Sequence, residues 1–264
     1  MRHRCKMKHI VMYSGGVCSW SAAKRVVEEY GSSKTLLLFA DTKIEDEDLY
    51  RFLHEGADVL KAELQIIADG RTPWEVFKDV KFLGNSRIDP CSRILKRDLI
   101  RDWIEDNYSY DECVIYMGMD WTEGHRLERT QKHWEPYIVK APMMEKPYMM
   151  KEQMIRNVIS AGMKPPRLYE MGFPHNNCGG FCIKAGHATF NLLLKSIPER
   201  YKYHEEQEQA LQKSLGKNHT ILKDRTNKTS DPLSLKEFRE RIETKESGMF
   251  DMDDWGGCGC FVEN

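Results

Sequence analysis

The sequence lacks any long hydrophobic run. Its longest apolar stretches, residues 35–40 and 114–119, fall far short of the roughly 20 residues that a helix needs to cross a bilayer. Internal repeats and low-complexity tracts are missing as well. We therefore expect a globular protein with no membrane partner, and neither a fibrous protein nor a repeat array.

A large excess of charge of either sign is also missing. The chain has 40 Lys and Arg residues against 41 Asp and Glu residues, so its formal net charge is -1. This balance excludes a general electrostatic attraction to nucleic acid or to an anionic membrane, and it leaves room for local basic pockets. Over 264 residues, 41% hydrophobic and 31% charged residues are typical of a folded protein with a sizeable core.

Cysteine is present in quantity, with eight residues. The basic N-terminus leads into a short apolar run that ends at a glycine turn, which predicts a first strand and not an export signal. Thiols in such a chain are expected to stay reduced, and the expected location is cytoplasmic. Metal binding or thiol chemistry is therefore the question that these cysteines raise.

Short apolar segments alternate with amphipathic segments in the first half of the chain. The predicted strands are residues 9–13, 35–40, 63–68 and 113–119, and the predicted helices are residues 18–30, 45–60 and 92–107. This alternation predicts an α/β fold with a mostly parallel sheet and helices on both faces. Ligands of such sheets bind at the carboxyl ends of the strands.

The second half has a different character. Helices are predicted at residues 152–161, 183–196, 198–215 and 235–245, with a looser segment over residues 216–232. We predict a nucleotide-binding α/β domain over residues 1–145. A mainly helical C-terminal region with a cysteine metal site is predicted over residues 146–264.

The most informative segment is residues 14–19, with the sequence SGGVCS, placed between a predicted strand and a predicted helix. Glycines without a Cβ let backbone N–H groups turn toward an anion, and the helix N-terminus adds its positive dipole end. The Lys of GxxxxGK[ST] and the spacing of GxGxxG are both missing. The segment predicts a phosphate site, and a plain Gly-Gly turn before a helix is the alternative.

Three further segments follow in order: residues 38–53 (LFADT and EDEDLYRFL), residues 89–96 (DPCSRILK) and residues 118–126 (GMDWTEGHR). With the SGGxxS loop, they resemble the PP-loop ATP pyrophosphatase (adenine nucleotide alpha hydrolase-like) superfamily, and within it the PAPS reductase-like branch. The resemblance covers about residues 8–130 and extends to phage and bacterial proteins filed in that family without a settled substrate. It implies a HUP/Rossmann-like sheet, ATP and Mg²⁺.

The resemblance also implies roles for individual residues. The nucleotide-binding set is Ser14, Gly15, Gly16, Ser19, Asp41, Thr42, Gly118 and Asp120. The catalytic set is Lys96 and Arg126, which would stabilise charge at the α-phosphate, and Cys91 as a reactive or cluster-binding thiol. Because Cys18 stands where many PP-loops carry Asp, Mg²⁺ is left to Asp41, Asp120 or Glu123. A helix cap for Asp41 and a solvated face for the basic residues are the alternatives.

Two cysteine pairs lie on glycine-rich backbone, Cys178 with Cys182 and Cys258 with Cys260. Four thiolates in two close pairs suit a Zn²⁺ ion or a [4Fe–4S] cluster. Free cysteines also occur as small buried hydrophobes, and a redox-active C-terminal pair is a further alternative.

The resemblance to the PP-loop superfamily implies an enzyme that adenylates an oxygen on an acceptor, releases pyrophosphate and lets a sulfur or nitrogen nucleophile displace AMP. The acceptor is unknown and nucleic acid is one candidate, because Trp121, Lys132, His133 and Trp134 could stack on a base or pair with phosphate. Those residues could equally pack the second half onto the core. A sulfur-donor protein is a possible partner. The alternatives are a thiol-dependent sulfonucleotide reductase and a non-catalytic nucleotide- or nucleic-acid-binding protein with a structural metal.

Overall fold

The computed structural model describes residues 7–84, 88–225, 229–244 and 250–257. Cys258 and Cys260, predicted as metal ligands, lie outside the described residues. In the part of the chain that is described, no helix is both long enough and apolar enough to span a membrane.

A parallel sheet of five strands forms the centre of the described structure, in the order β3-β2-β1-β4-β5. The strands are β1 Lys8–Met12, β2 Thr35–Ala40, β3 Glu63–Ile67, β4 Cys113–Tyr116 and β5 Ile138–Lys140. Successive residues of β1 enter different hydrophobic clusters, Ile10 on one face and Val11 on the other, because successive side chains of a strand point to opposite faces. Both faces are therefore covered, which confirms the predicted α/β class with a Rossmann-like sheet.

Helices surround this sheet and continue through the second half. They are α1 Val17–Tyr30, α2 Glu47–Leu60, α3 Pro73–Asp79, α4 Pro90–Ser92, α5 Leu99–Asn107, α6 Gly124–Trp134, α7 Lys151–Ser160, α8 Arg167–Glu170, α9 His187–Ser196, α10 Pro198–Leu215 and α11 Leu235–Glu243. The predicted helix over residues 92–107 is divided, because a π-helical turn, Arg93–Asp98, separates α4 from α5. The segment predicted to be loose contains an antiparallel hairpin of β6 Leu222–Asp224 and β7 Asp231–Leu233.

The strand order reverses between β1 and β4. From β1 the chain moves outward to β2 and β3, and it then returns to β4 on the other side of β1. Connections that leave neighbouring strands in opposite directions open a crevice at the carboxyl ends of those strands, where ligands of doubly wound sheets bind. The loops after β1 and β4 therefore border the expected site.

A separate hydrophobic cluster holds the second half together. Its buried aromatic members from the second half include Phe181, Phe190, Tyr201 and Phe238. The cluster also takes in Trp74 from α3, so it joins elements from both halves of the chain. The predicted boundary at residue 145 stays a prediction, and residues on both sides of it contribute to the site.

Candidate functional site

The glycine loop that follows β1 forms the first wall of the site. Gly15 has a φ of +75°, and a Cβ built there would lie 2.7 Å from Cγ of Leu49. A residue with a side chain would therefore be strained and crowded at this position. Helix α1 begins two residues later at Val17, so the loop leads into the N–H groups of a helix N-terminus, which have no acceptor within the helix. The Ser19 hydroxyl donates to the Gly16 carbonyl at 2.9 Å and lies 3.3 Å from the Ser14 hydroxyl.

The loop after β4 forms the opposite wall. A Cβ at Gly118 would lie 2.7 Å from Cα of Ser19, so the two loops approach each other closely only because residue 118 is glycine. Oδ1 of Asp120 accepts from the N–H of Thr122 at 2.8 Å, and the backbone N–H of Asp120 donates to Glu123 at 3.2 Å. Glu123 also pairs with Arg126. These contacts fix an acidic and basic turn beside the glycine loop.

A third wall comes from the second half of the chain and was missed by the sequence reasoning. The buried side-chain amide of Asn176 donates to the Gly15 carbonyl at 2.8 Å. The Val17 N–H donates to the Tyr169 hydroxyl at 3.4 Å, and the Lys151 ammonium lies 5.4 Å from the centre of the Tyr169 ring. The sequence did carry a signal for this wall, namely the glycine and asparagine residues of the loop before Cys178, because these residue types favour turns.

The three walls enclose a cavity of about 320 Å³, which we call the switch-point cavity. That volume is within the range of small-molecule sites. The structure brings together seven of the predicted residues at this cavity: Ser14, Gly16, Ser19, Gly118, Asp120, Glu123 and Arg126. Gly15 shapes the same loop from behind, through its carbonyl contact with Asn176.

Charged side chains of both signs line the switch-point cavity: Arg126 and Lys151 are cations, and Asp120 and Glu123 are carboxylates, one of which pairs with Arg126. Withdrawal from solvent lowers the pKa of the Lys151 ammonium. The ring of His175 borders the cavity, and the surrounding protein together with Lys151 and Arg126 lowers its pKa to about 4. Burial and the nearby Asp120 raise the pKa of the Cys18 thiol to about 12. At neutral pH the cavity therefore presents two cations, a neutral imidazole and an un-ionised thiol.

The other predicted residues of the first half do not line the switch-point cavity; they are Asp41, Thr42, Cys91 and Lys96. Asp41 is buried beside Lys43, with the Lys43 ammonium 2.9 Å from Oδ2 and the Lys43 N–H 2.8 Å from Oδ1. The Tyr50 hydroxyl donates to the same carboxylate at 2.8 Å. Thr42 donates to Glu45 at 2.9 Å. Asp41 and Thr42 are thus held by neighbours at the end of β2.

Cys91 and Lys96 lie at a second cavity, which we call the thiol cavity, of about 20 Å³. Its walls include the thiols of Cys91, Cys178 and Cys182 together with Thr42, Lys96 and Lys184. The buried Lys96 ammonium is 3.5 Å from Glu45 and 4.0 Å from Sγ of Cys178. The structure therefore places Lys96 and Arg126, predicted to act at one phosphate, at different cavities.

A single segment, residues 174–182, separates the two cavities. Pro174, His175, Asn176 and Asn177 line the switch-point cavity, whereas Cys178 and Cys182 line the thiol cavity. Cys178 has a φ of +52°, a left-handed conformation that is uncommon for a residue with a side chain. Its N–H donates to Glu45, the same carboxylate that pairs with Lys96.

The end of the described chain packs beside Cys182. Gly256 forms a bridge with Ala185, and the Gly257 N–H donates to the Lys184 carbonyl at 3.1 Å. Gly257 also lines a small cavity together with Cys178 and Cys182. Of the four predicted metal ligands, Cys178 and Cys182 are described. Within the described ranges, no three Cys, His, Asp or Glu side chains are grouped so as to hold a metal ion.

Comparison with known proteins leaves the family open. No protein-family model and no curated protein matches the chain. Among solved structures, it is similar to a predicted subunit of tRNA methyltransferase from Methanocaldococcus jannaschii, with 15% identity and a TM-score of 0.40. The match covers 65% of this chain and 94% of that one. The function proposed below is accordingly argued from the residues of the site.

Proposed function

We propose that this protein is a PP-loop ATP pyrophosphatase of the PAPS reductase-like kind, which binds ATP in the switch-point cavity and cleaves it between the α- and β-phosphates. One observation carries the proposal. A glycine loop with a left-handed Gly15 precedes the N-terminus of α1, at the sheet's point of reversal, and faces Arg126 and Lys151 across the cavity. This arrangement supplies directed donors and positive charge for a phosphate chain.

The chemistry follows from these positions. The loop N–H groups and the hydroxyls of Ser14 and Ser19 would hold the β- and γ-phosphates, and Arg126 and Lys151 would offset charge that develops during transfer. An acceptor oxygen attacks the α-phosphorus and loses its proton to solvent. The bond from that phosphorus to the bridging oxygen breaks, and pyrophosphate leaves. A sulfur or nitrogen nucleophile can then displace AMP from the adenylated acceptor.

Mg²⁺ fits one of the three predicted carboxylates best. Asp120 lines the switch-point cavity, and carboxylate oxygens are ligands that Mg²⁺ prefers. Asp41 fits poorly because Lys43 and Tyr50 occupy its oxygens away from the cavity. Glu123 is engaged with Arg126. When bound, Mg²⁺ would supply charge neutralisation to the phosphate oxygens, and Asp120 would hold it.

The thiols favour a sulfur-linked outcome for the second step. Cys178 and Cys182 line a cavity that is only one chain segment away from the switch-point cavity. A sulfur-donor protein would supply the nucleophile.

We also propose that Cys178, Cys182, Cys258 and Cys260 hold Zn²⁺ or a [4Fe–4S] cluster. The contact of Gly257 with Lys184 supports this, because it brings the chain just before Cys258 to the same cavity as the first pair. No catalytic step is routed through that centre.

The same closeness of thiols and cavity favours one alternative, a thiol-dependent sulfonucleotide reductase. Such an enzyme would use PAPS or a related sulfonucleotide and release sulfite. The test is therefore a pair of reactions on the purified protein. One supplies ATP and Mg²⁺, with water as a slow acceptor, and the other supplies PAPS and a dithiol.

Equal amounts of AMP and pyrophosphate from ATP would support the proposal, and sulfite from PAPS would favour the alternative. ADP with orthophosphate as the products of ATP would overturn the proposal, and no sulfite from PAPS would overturn the alternative. Asn176→Ala should weaken ATP binding about tenfold, because the Gly15 carbonyl loses its donor and the loop its brace. Asn107→Ala, whose amide contacts only the Trp103 carbonyl among the described bonds, is the matched control and should bind ATP like the parent.

A further inference from the structure

Two aromatic rings are exposed together beside the switch-point cavity. Trp121 is 44% exposed and Tyr148 is 50% exposed, and their ring centres are 5.7 Å apart with a tilt of 35°. Large exposed rings are costly to leave in water, and a contiguous apolar patch of this kind marks an interaction site. We call this pair the aromatic platform.

The platform lies at the mouth of the cavity. Trp121 stands between Asp120 and Thr122, which both line the switch-point cavity. Tyr148 precedes the cavity residue Lys151 by three positions. A molecule resting on the two rings would therefore be within reach of a nucleotide bound inside.

The platform is also held rigidly. The Arg25 guanidinium, on α1, donates to the carbonyls of Pro142 at 2.6 Å and Glu145 at 2.9 Å, and to that of Pro147. These bonds fasten the loop before Tyr148 to the helix that follows the glycine loop. A ring on a pre-organised loop loses little freedom when a ligand stacks on it.

A basic stripe continues from the platform along α6. His125, Arg129 and Lys132 are all exposed and are spaced four and three residues apart, so they share one side of the helix. The exposed Glu128 lies on the same side, so Arg129 and Lys132 are the two residues there that can pair with phosphates. Trp134, considered as a stacking residue from the sequence, is instead 4% exposed and packs in the core beneath the Arg101 guanidinium. Trp134 therefore serves neither alternative, because the hydrophobic cluster that contains it is made of first-half residues.

We infer that the aromatic platform and the basic stripe dock a single-stranded nucleic acid, whose bases stack on Trp121 and Tyr148 and whose phosphates contact Arg129 and Lys132. This inference rests on the proposed function, because it assigns the acceptor class of the same site. Exposed aromatic rings beside spaced cations match unpaired bases on a phosphate backbone, whereas a duplex hides the faces of its bases. The platform would bring one nucleotide of the strand to the mouth of the switch-point cavity.

The test is fluorescence anisotropy with labelled oligonucleotides of about 12 residues, as single-stranded RNA, single-stranded DNA and a duplex of the same sequence. We expect single strands to bind more tightly than the duplex. Tyr148→Leu and Trp121→Ala should each weaken single-strand binding about tenfold or more. Replacing Arg129 and Lys132 with Gln should reduce the salt slope by about 0.7 for each lost phosphate contact.

Tyr110→Leu is the matched control, because Tyr110 is also an exposed aromatic residue, at 57%. It lies just before β4, at the amino ends of the strands, whereas the cavity lies at their carboxyl ends. It should leave binding unchanged. Equal binding of duplex and single strand, or equal losses for Tyr110→Leu and Tyr148→Leu, would overturn the inference, as would no binding of any oligonucleotide. A difference between RNA and DNA decides which strand is the acceptor.

Failure of this inference and failure of the proposed function give different results. ATP affinity of the Tyr148→Leu variant, measured by calorimetry, should equal that of the parent, since Tyr148 does not line the cavity. If ATP binds and is cleaved to AMP while oligonucleotides do not bind, only the platform is wrong. If oligonucleotides bind on the rings while ATP does not bind, the platform holds and the proposed function is wrong.

Discussion

The two cavities on either side of residues 174–182 differ in volume and in the residues that line them. The switch-point cavity has about 320 Å³ and polar walls from both halves of the chain, whereas the thiol cavity has about 20 Å³. A volume of about 20 Å³ is close to that of one water molecule. The first has the volume of a small-molecule site. The second has room for little more than one water-sized group, so a large and a small cavity lie on the two sides of one segment of chain.

The largest effect should come from closing the switch-point cavity at its glycine loop. Gly15→Val places a β-branched residue at a φ of +75° and against Leu49, which costs about 3 kcal/mol if the loop keeps its shape. We therefore expect ATP affinity, measured by calorimetry, to fall about a hundredfold. The thiol cavity should be unaffected, and thiol counting with a chromogenic disulfide should match the parent.

Gly124→Ala provides the control for this change. Gly124 is the first residue of α6, and nothing lies within 4 Å of a Cβ built there. Alanine at this position should therefore be tolerated, with unchanged ATP affinity. Equal ATP affinity for Gly15→Val and the parent would remove the phosphate role of the loop.

A smaller effect should follow from disrupting the thiol cavity. If the cysteine pairs hold a metal centre, a chelator should lower the melting temperature of the parent by several degrees and do little to a Cys178→Ser, Cys182→Ser variant. Zinc would leave the protein colourless, and a cluster would colour it brown. Cys113→Ala, in β4 and far along the chain from either pair, should keep the response to the chelator. A metal-free protein that is folded and cleaves ATP would refute the metal centre.

The smallest effect concerns the thiol of the switch-point cavity. With a pKa raised to about 12 by burial, Cys18 is about one part in ten thousand thiolate at pH 8. Iodoacetamide should therefore label Cys18 very slowly, and the rate should rise about tenfold for each pH unit up to about pH 11. Peptide mass spectrometry gives the rate for each cysteine. Rapid labelling of Cys18 at neutral pH would contradict the burial of this thiol.

Features set by local sequence were predictable. The strands and the glycine loop depend on short apolar runs and on residues 14–19 alone, and the fold class follows from their alternation. Helix α3 was missed although Thr72 and Glu75 form a capping box, a signal readable in the sequence. The strand β5 has three residues at the edge of the sheet, too few for a period-two pattern.

The rest of the site depends on contacts between distant parts of the chain. Asn176 meets Gly15 across 161 positions, and Tyr169 meets Val17 across 152. No spacing rule connects such residues. Lys96 shows a different difficulty, because its motif predicted a position beside the phosphates. In the structure it lies in the π-helical turn, and its ammonium group pairs with Glu45. The sequence motif identified Lys96 as a candidate residue but did not show in which direction its side chain points.

The near contact of Gly118 with Ser19 has a consequence for how this site could change. At this contact the absence of a side chain on residue 118 sets how closely the segment after β4 approaches the start of α1. Other residues that line the cavity can be exchanged, by mutation or by engineering, without changing that distance. Ligand preference could then change through the exchangeable residues, while the spacing of these two segments stays the same.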